Sequence, residues 1–133
     1  MWTFPHYTPG KLPDWQALER RFSWFADMKN VPQDPEWHAE GDVFVHTKMV
    51  CEALLQLPEF QALSEQEQHI LFTAAMLHDV EKRSTTKREI QDGKERIVSP
   101  NHAKKGEYTA RALLYTELAT PFAVREAIAT LVR

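Results

Sequence analysis

Nine residues, "AAMLHDVEK" from Ala74 to Lys82, constrain this chain more than any other stretch. An apolar run ends in an imidazole and a carboxylate side by side, His78 and Asp79. Ser64 and Glu67 form a capping-box pattern that opens a helix over "EQEQHILFTAAMLHDVEK". The second half of that helix is apolar on nearly every side, which marks it as central and buried. His78 follows Ala74 by four residues and Leu71 by seven, so it faces inward. Burying Asp79 is costly unless the carboxylate is paired or holds a metal.

The rest of the pattern is helical. Pro5, Pro9, Gly10 and Pro13 keep residues 1–13 out of helix, as an extended arm. Asp14 then caps a helix over "WQALERRFSWFADM", with Trp15, Leu18, Phe22 and Phe25 on its apolar side. A Pro- and Gly-containing loop leads to "VFVHTKMVCEALLQL", where Val43, Val50, Leu54 and Leu57 share one face with His46 and Pro58 closes the helix. Asp92-Gly93 between "KREIQ" and "KERIV" is a two-residue hairpin turn, which suggests a small β-hairpin insertion around 85–99. A further helix begins near His102, and Thr120 with Pro121 caps a last one that runs to Arg133. The expected class is all-α: a bundle of five or six helices occupying residues 14–133. Trp15, Phe22, Phe25 and Phe72 are expected in the core.

Composition narrows the function classes. At 133 residues the chain fits one domain with a real core. A net charge of -3 gives no basic excess that would indicate nucleic acid or an anionic membrane as the partner. Cys51 is the only cysteine, which excludes an internal disulfide and fits a reducing compartment. The N-terminus lacks the apolar segment of a signal peptide, and no apolar run approaches the roughly 18 to 20 residues that span a bilayer. The expected location is cytoplasmic.

His46, His78 and Asp79 are the residues that suit chemistry. Imidazole nitrogen and carboxylate oxygen are good ligands for Mn, Fe, Co, Ni or Zn, and Mg is a further candidate cofactor. Adjacent side chains point about 100° apart on an ideal helix, so both reach one ion best where the helix loosens. The competing reading is a hydrogen-bonded core histidine at position 46, with Asp79 paired to Lys82 or Arg83.

Three blocks in order, "HAEGDVFVHTKMVCEALL", "LFTAAMLHDVEK" and "SPNHAKKGEYTARALL", resemble the HD-domain metal-dependent phosphohydrolases. The similarity is to the HD modules attached to bacterial CCA-adding tRNA nucleotidyltransferases and to P-loop ATPases, and it covers roughly residues 37–133. It implies an HD-type helical bundle in which His46, His78 and Asp79 bind a divalent metal. Asp79 and Lys82 would then be catalytic, with Lys82 contacting substrate phosphate. His102 would help hold a second ion or face substrate. The usual glycine before the lysine is Glu81 here. The resemblance also implies a fourth ligand, an aspartate on a later helix, yet no aspartate follows Asp92. Glu107, Glu117 and Glu126 are the carboxylates beyond His102, and none stands in the matching context. The expectation is a chain cut short, with that ligand beyond Arg133.

The function so implied is hydrolysis of a phosphomonoester or phosphodiester, of a nucleotide or a nucleic-acid end. The alternative is an inactive HD-type binding or regulatory module of a larger RNA- or nucleotide-processing enzyme. His38 either lines the pocket or sits on a surface loop. Lys104 and Lys105 lie where the helix dipole favours phosphate, and Lys105 is the candidate substrate contact. His69, among Gln66, Glu67 and Gln68, is expected to face solvent, and His6 has no expected role. A truncated bundle would expose apolar surface, so self-association is a further expectation.

Overall fold

The computed structural model describes residues Met1–Arg133. The chain is mostly helical with one small antiparallel hairpin. In order, the elements are α1 Trp15–Arg21, α2 Ser23–Ala26, α3 Val43–Gln56, α4 Pro58–Gln61, α5 Glu65–Leu77, α6 Lys82–Thr85, β1 Lys87–Gln91, β2 Lys94–Val98, α7 His102–Thr116 and α8 Phe122–Val132. Three of the helices (α2, α4 and α6) are single turns. No helix is long and apolar enough to cross a membrane.

Helix α5 is the centre. Ser64 accepts from the Glu67 amide and Glu67 reaches back to the Ser64 amide, so the capping box fixes its first turn. It packs between α3 and α8, and α8 in turn packs on α7. Gly106 of α7 faces Val132 and Val80, at ordinary van der Waals distance from where a Cβ would stand. The hairpin pairs Lys87 with Val98 through Gln91 with Lys94. Its turn residues Asp92 and Gly93 both have positive φ, 51° and 76°. That is the backbone which matches the twist of a two-residue hairpin.

Several details differ from the periodicity. The helix expected from residue 15 onward breaks at Phe22, whose backbone is extended. In a continuous helix Phe22 and Trp24 would point about 200° apart. The break lets both enter the core with Phe25, and the Phe22 and Trp24 rings stack at 4.9 Å. On α3 the fully buried positions are Val43, Phe44, Thr47 and Cys51, whereas Leu57 is 48% exposed and Val50 and Leu54 are half-buried. The last helix starts one residue late: Pro121 stands at the cap without a side-chain bond, and the Thr120 hydroxyl is buried without a partner.

The largest correction concerns His69. It is 2% exposed rather than solvent-facing, because the N-terminal arm lies across it. The Phe4 amide donates to its Nδ1 at 3.0 Å, and the Tyr7 ring meets it edge-on at 5.0 Å. Phe4 packs on Phe22 and Phe72, and Gln66 bonds both backbone groups of Trp2. The arm is therefore an irregular segment folded into the core, with His6 left exposed.

Burial holds the His69 pKa below its ordinary value, so the fold favours the neutral ring. As pH falls below about 6.5, the unfolded chain takes a proton that the folded one refuses, and stability drops until the folded pKa is passed. Relative to His69→Gln, the wild type is expected to lose stability over that window in urea titrations. Equal pH profiles would contradict the buried neutral ring. Phe4→Ala is expected to destabilise by about 3 to 5 kcal/mol; a loss under about 1 kcal/mol would contradict a docked arm.

Candidate metal centre

Asp79 lies where the central helix ends. Helix α5 stops at Leu77, residues 78–81 form a turn, and α6 begins at Lys82. This loosening swings His78 and Asp79 toward the same point. Asp79 is only 3% exposed, and four nitrogen groups surround its carboxylate. Oδ2 faces His46 Nε2 at 3.5 Å, His78 Nε2 at 3.1 Å and Lys82 Nζ at 3.3 Å. Oδ1 faces His102 Nε2 at 3.2 Å. Helices α3 and α7 thus deliver His46 and His102 to the residue that ends α5.

The far side of each ring decides what the near side presents. His78 Nδ1 lies 2.5 Å from the Ala75 carbonyl, and His102 Nδ1 lies 2.9 Å from the Ser99 carbonyl. His46 Nδ1 lies 2.6 Å from Glu40 Oε1. A carbonyl only accepts, and Glu40 is ionised, drawn down to about 2 by its own backbone amide and by His46. Each Nδ1 therefore carries the hydrogen, and in the neutral ring each Nε2 aims a lone pair at Asp79. Lone pairs facing a carboxylate repel unless positive charge stands between them.

Protons can supply that charge. Burial alone would lower the His78 pKa, but the hydrogen bond and charge of Asp79 outweigh it and raise it. His102 is raised chiefly by its bond to Asp79. Burial alone would raise Asp79; the His102 and His78 bonds and the charges of His78 and Lys82 carry it well below the usual carboxylate range.

A divalent cation meets the same need with one particle. Donors sharing an ion at about 2.0 to 2.2 Å stand roughly 3 to 3.5 Å apart, the spacing of both imidazoles from Oδ2. The ligating atoms of His46, His78 and Asp79 lie within 4.8 Å of one another. Anchored Nδ1 atoms are also the usual outer support of metal-binding histidines. The residues present fit a divalent metal. His102 meets the other carboxylate oxygen, Oδ1.

The remaining candidates separate. His38 shares Glu40 Oε1 with His46, at 3.3 Å from its own Nδ1, and its ring stands edge-on to His46 at 4.8 Å. Lys82 spans Asp79 and Gln33, donating to Gln33 Oε1 at 2.9 Å. His38, Lys82 and His102 line one groove of about 190 Å³ together with Gln33, Trp37 and Ser99. Lys105 is not among its lining residues: its ammonium donates to Ser84 Oγ at 2.7 Å. Glu81 is buried, bonded by Thr109 and Ser84. Burial would raise its pKa, but these bonds hold it lower. None of the downstream carboxylates joins the site: Glu107 pairs with Arg111 and Arg133, Glu126 with Arg111, and Glu117 is exposed.

Sequence reasoning missed Glu40 and Gln33. Glu40 precedes His46 by six residues with Gly41 between, a spacing that no helical or strand period connects. Gln33 lies in the loop between α2 and α3, and only the folded loop carries it to Lys82. Comparison of the chain with protein-family models, with curated proteins and with solved structures finds no match.

Purified protein titrated with Mn, Co or Zn is expected to bind about one equivalent of at least one of them. Binding should be lost in His46→Ala, His78→Ala and Asp79→Ala and weakened about 10- to 100-fold in Glu40→Ala. Unchanged affinity in the Asp79 variant would rule out the centre.

Proposed function

We propose that the protein is a metal-dependent phosphohydrolase of the HD type, acting on a phosphomonoester or phosphodiester such as a nucleotide or nucleic-acid end. The observation carrying this reading is the convergence of three Nδ1-anchored imidazoles on one buried carboxylate beside a lysine. The order of the three sequence blocks supports it, as does a mostly helical fold with a small hairpin after α6.

In this reading His46, His78 and Asp79 hold the ion, with His102 on the other oxygen of Asp79. A divalent metal there supplies activation of water and polarisation of a phosphoryl oxygen. Asp79, held below the usual carboxylate range by the His102 and His78 bonds and by Lys82, stays ionised and would orient a water on the ion. Lys82, largely buried and fixed between Asp79 and Gln33, offers a cation that neutralises charge on a phosphate in the groove. Its side chain loses little freedom on binding, because both contacts already hold it. His38 and His102 line the same groove and would offer ring nitrogens to a bound ester.

A second reading is a regulatory or binding module that holds a metal or ligand without turning it over. The observation favouring it is the pairing of Glu107 and Glu126 with arginines, which leaves the site with three imidazoles and one carboxylate. Metal-supplemented protein is expected to release phosphate from nucleoside monophosphates or from a nitrophenyl phosphate ester. Lys82→Ala should cut kcat about 100-fold, and Asp79→Ala should abolish turnover. Stoichiometric metal with no hydrolysis of any ester would favour the module and end the enzyme reading.

A further inference from the structure

The groove beside the carboxylate holds one polar group that its protein neighbours leave unsatisfied. Gln33 is 8% exposed, yet its Nε2 has no hydrogen-bond partner. Which end of the carboxamide is which is settled by chemistry. Lys82 Nζ can only donate, so the atom 2.9 Å from it is the oxygen, and the nitrogen points the other way. Gln33 lines both the 190 Å³ groove and the shallower one bordered by Asn30, Pro35 and Asp42, and its Nε2 is buried in the wall between them.

The groove's only acid is already spoken for. Asp34 receives Arg96 Nε at 3.0 Å, the Glu36 amide at 3.0 Å and the Ile97 amide at 3.3 Å. Its two oxygens are thereby neutralised and committed to holding β2 against the loop. What lines the groove besides is Lys82, its ammonium shared between Asp79 Oδ2 at 3.3 Å and Gln33 Oε1, and beside it a buried amide nitrogen without an acceptor. Such a pairing suits an oxyanion: the ammonium supplies charge and the carboxamide supplies direction.

We propose that Gln33 is a phosphate-binding residue, its Nε2 donating to an oxygen of the same phosphate that Lys82 neutralises. The proposal rests on the phosphohydrolase reading for its ligand and deepens it by naming a donor from the loop before α3. Gln33 then has two functions on its two ends. Its oxygen holds the Lys82 ammonium in the groove, and its nitrogen reads the ligand.

The probe is inorganic phosphate, titrated into the full-length protein and followed by calorimetry and by the side-chain amide signals of Gln33 in NMR. In the wild type those signals should shift with phosphate, at the same midpoint as the heat. Gln33→Glu keeps an oxygen for Lys82 but removes the donor; Gln33→Met removes both. Each is expected to weaken phosphate binding by about tenfold or more with bound metal and thermal unfolding unchanged. Wild-type affinity in Gln33→Glu would overturn the proposal, because the side chain would then serve only to brace Lys82. Absence of phosphate binding to the wild type at millimolar concentration, or Gln33 signals that do not move, would overturn it too. Phosphate binding through Gln33 in a protein that hydrolyses no ester would sink the enzyme reading while leaving this assignment standing.

Discussion

One buried carboxylate organises this molecule. Asp79 sits at the end of the central helix and is 3% exposed, where an uncompensated charge would be prohibitive. The compensation is drawn from three other elements: His46 from α3, Lys82 from α6 and His102 from α7, with His78 from its own turn. These contacts tie three helices and a turn to one point. They also remain electrostatically incomplete, because the Nδ1 hydrogens are committed elsewhere and every Nε2 must gain a proton or share a cation.

The surroundings serve that point. The loop between α2 and α3 carries Gln33, Asp34, His38 and Glu40, so it contributes more polar groups to the groove and the His46 support than any helix does. Asp42 ties its end, capping α3 through the Val45 amide and taking the Asn30 amide at 2.8 Å. The hairpin is fixed to it by the Asp34–Arg96 pair, so β2 and the loop form one wall. A polar wall of this kind, with most of its hydrogen bonds internally satisfied, gives the groove a fixed border.

The candidate site was legible in part. His78 and Asp79 were readable because a carboxylate at the buried end of an apolar helix needs a partner or an ion, and His46 because it shares the apolar face of its helix. The helix expected to run to Lys82 ends instead at Leu77, where the turn lets two adjacent side chains that would diverge on an ideal helix meet at one point. Glu40 and Gln33 were not readable, because loop residues have no period and their neighbours are fixed only by tertiary closure. His69 was misread for a related reason: its sequence neighbours are polar, but the arm that covers it lies 65 residues away.

By itself the sequence determined the longer helices, the Asp14 and Ser64–Glu67 caps, the hairpin turn and the inward placement of His46, His78 and Asp79. Those follow from local chemistry: periodicity, capping side chains and the positive-φ tolerance of Asp-Gly. Only the tertiary structure decided that Phe22 breaks the first helix, that the arm buries His69, and that Glu40 and Gln33 stand behind His46 and Lys82. Each of these is an interaction between segments distant in sequence, governed by packing and by the solvation of buried polar groups. Neither force leaves a mark in the local order of residues.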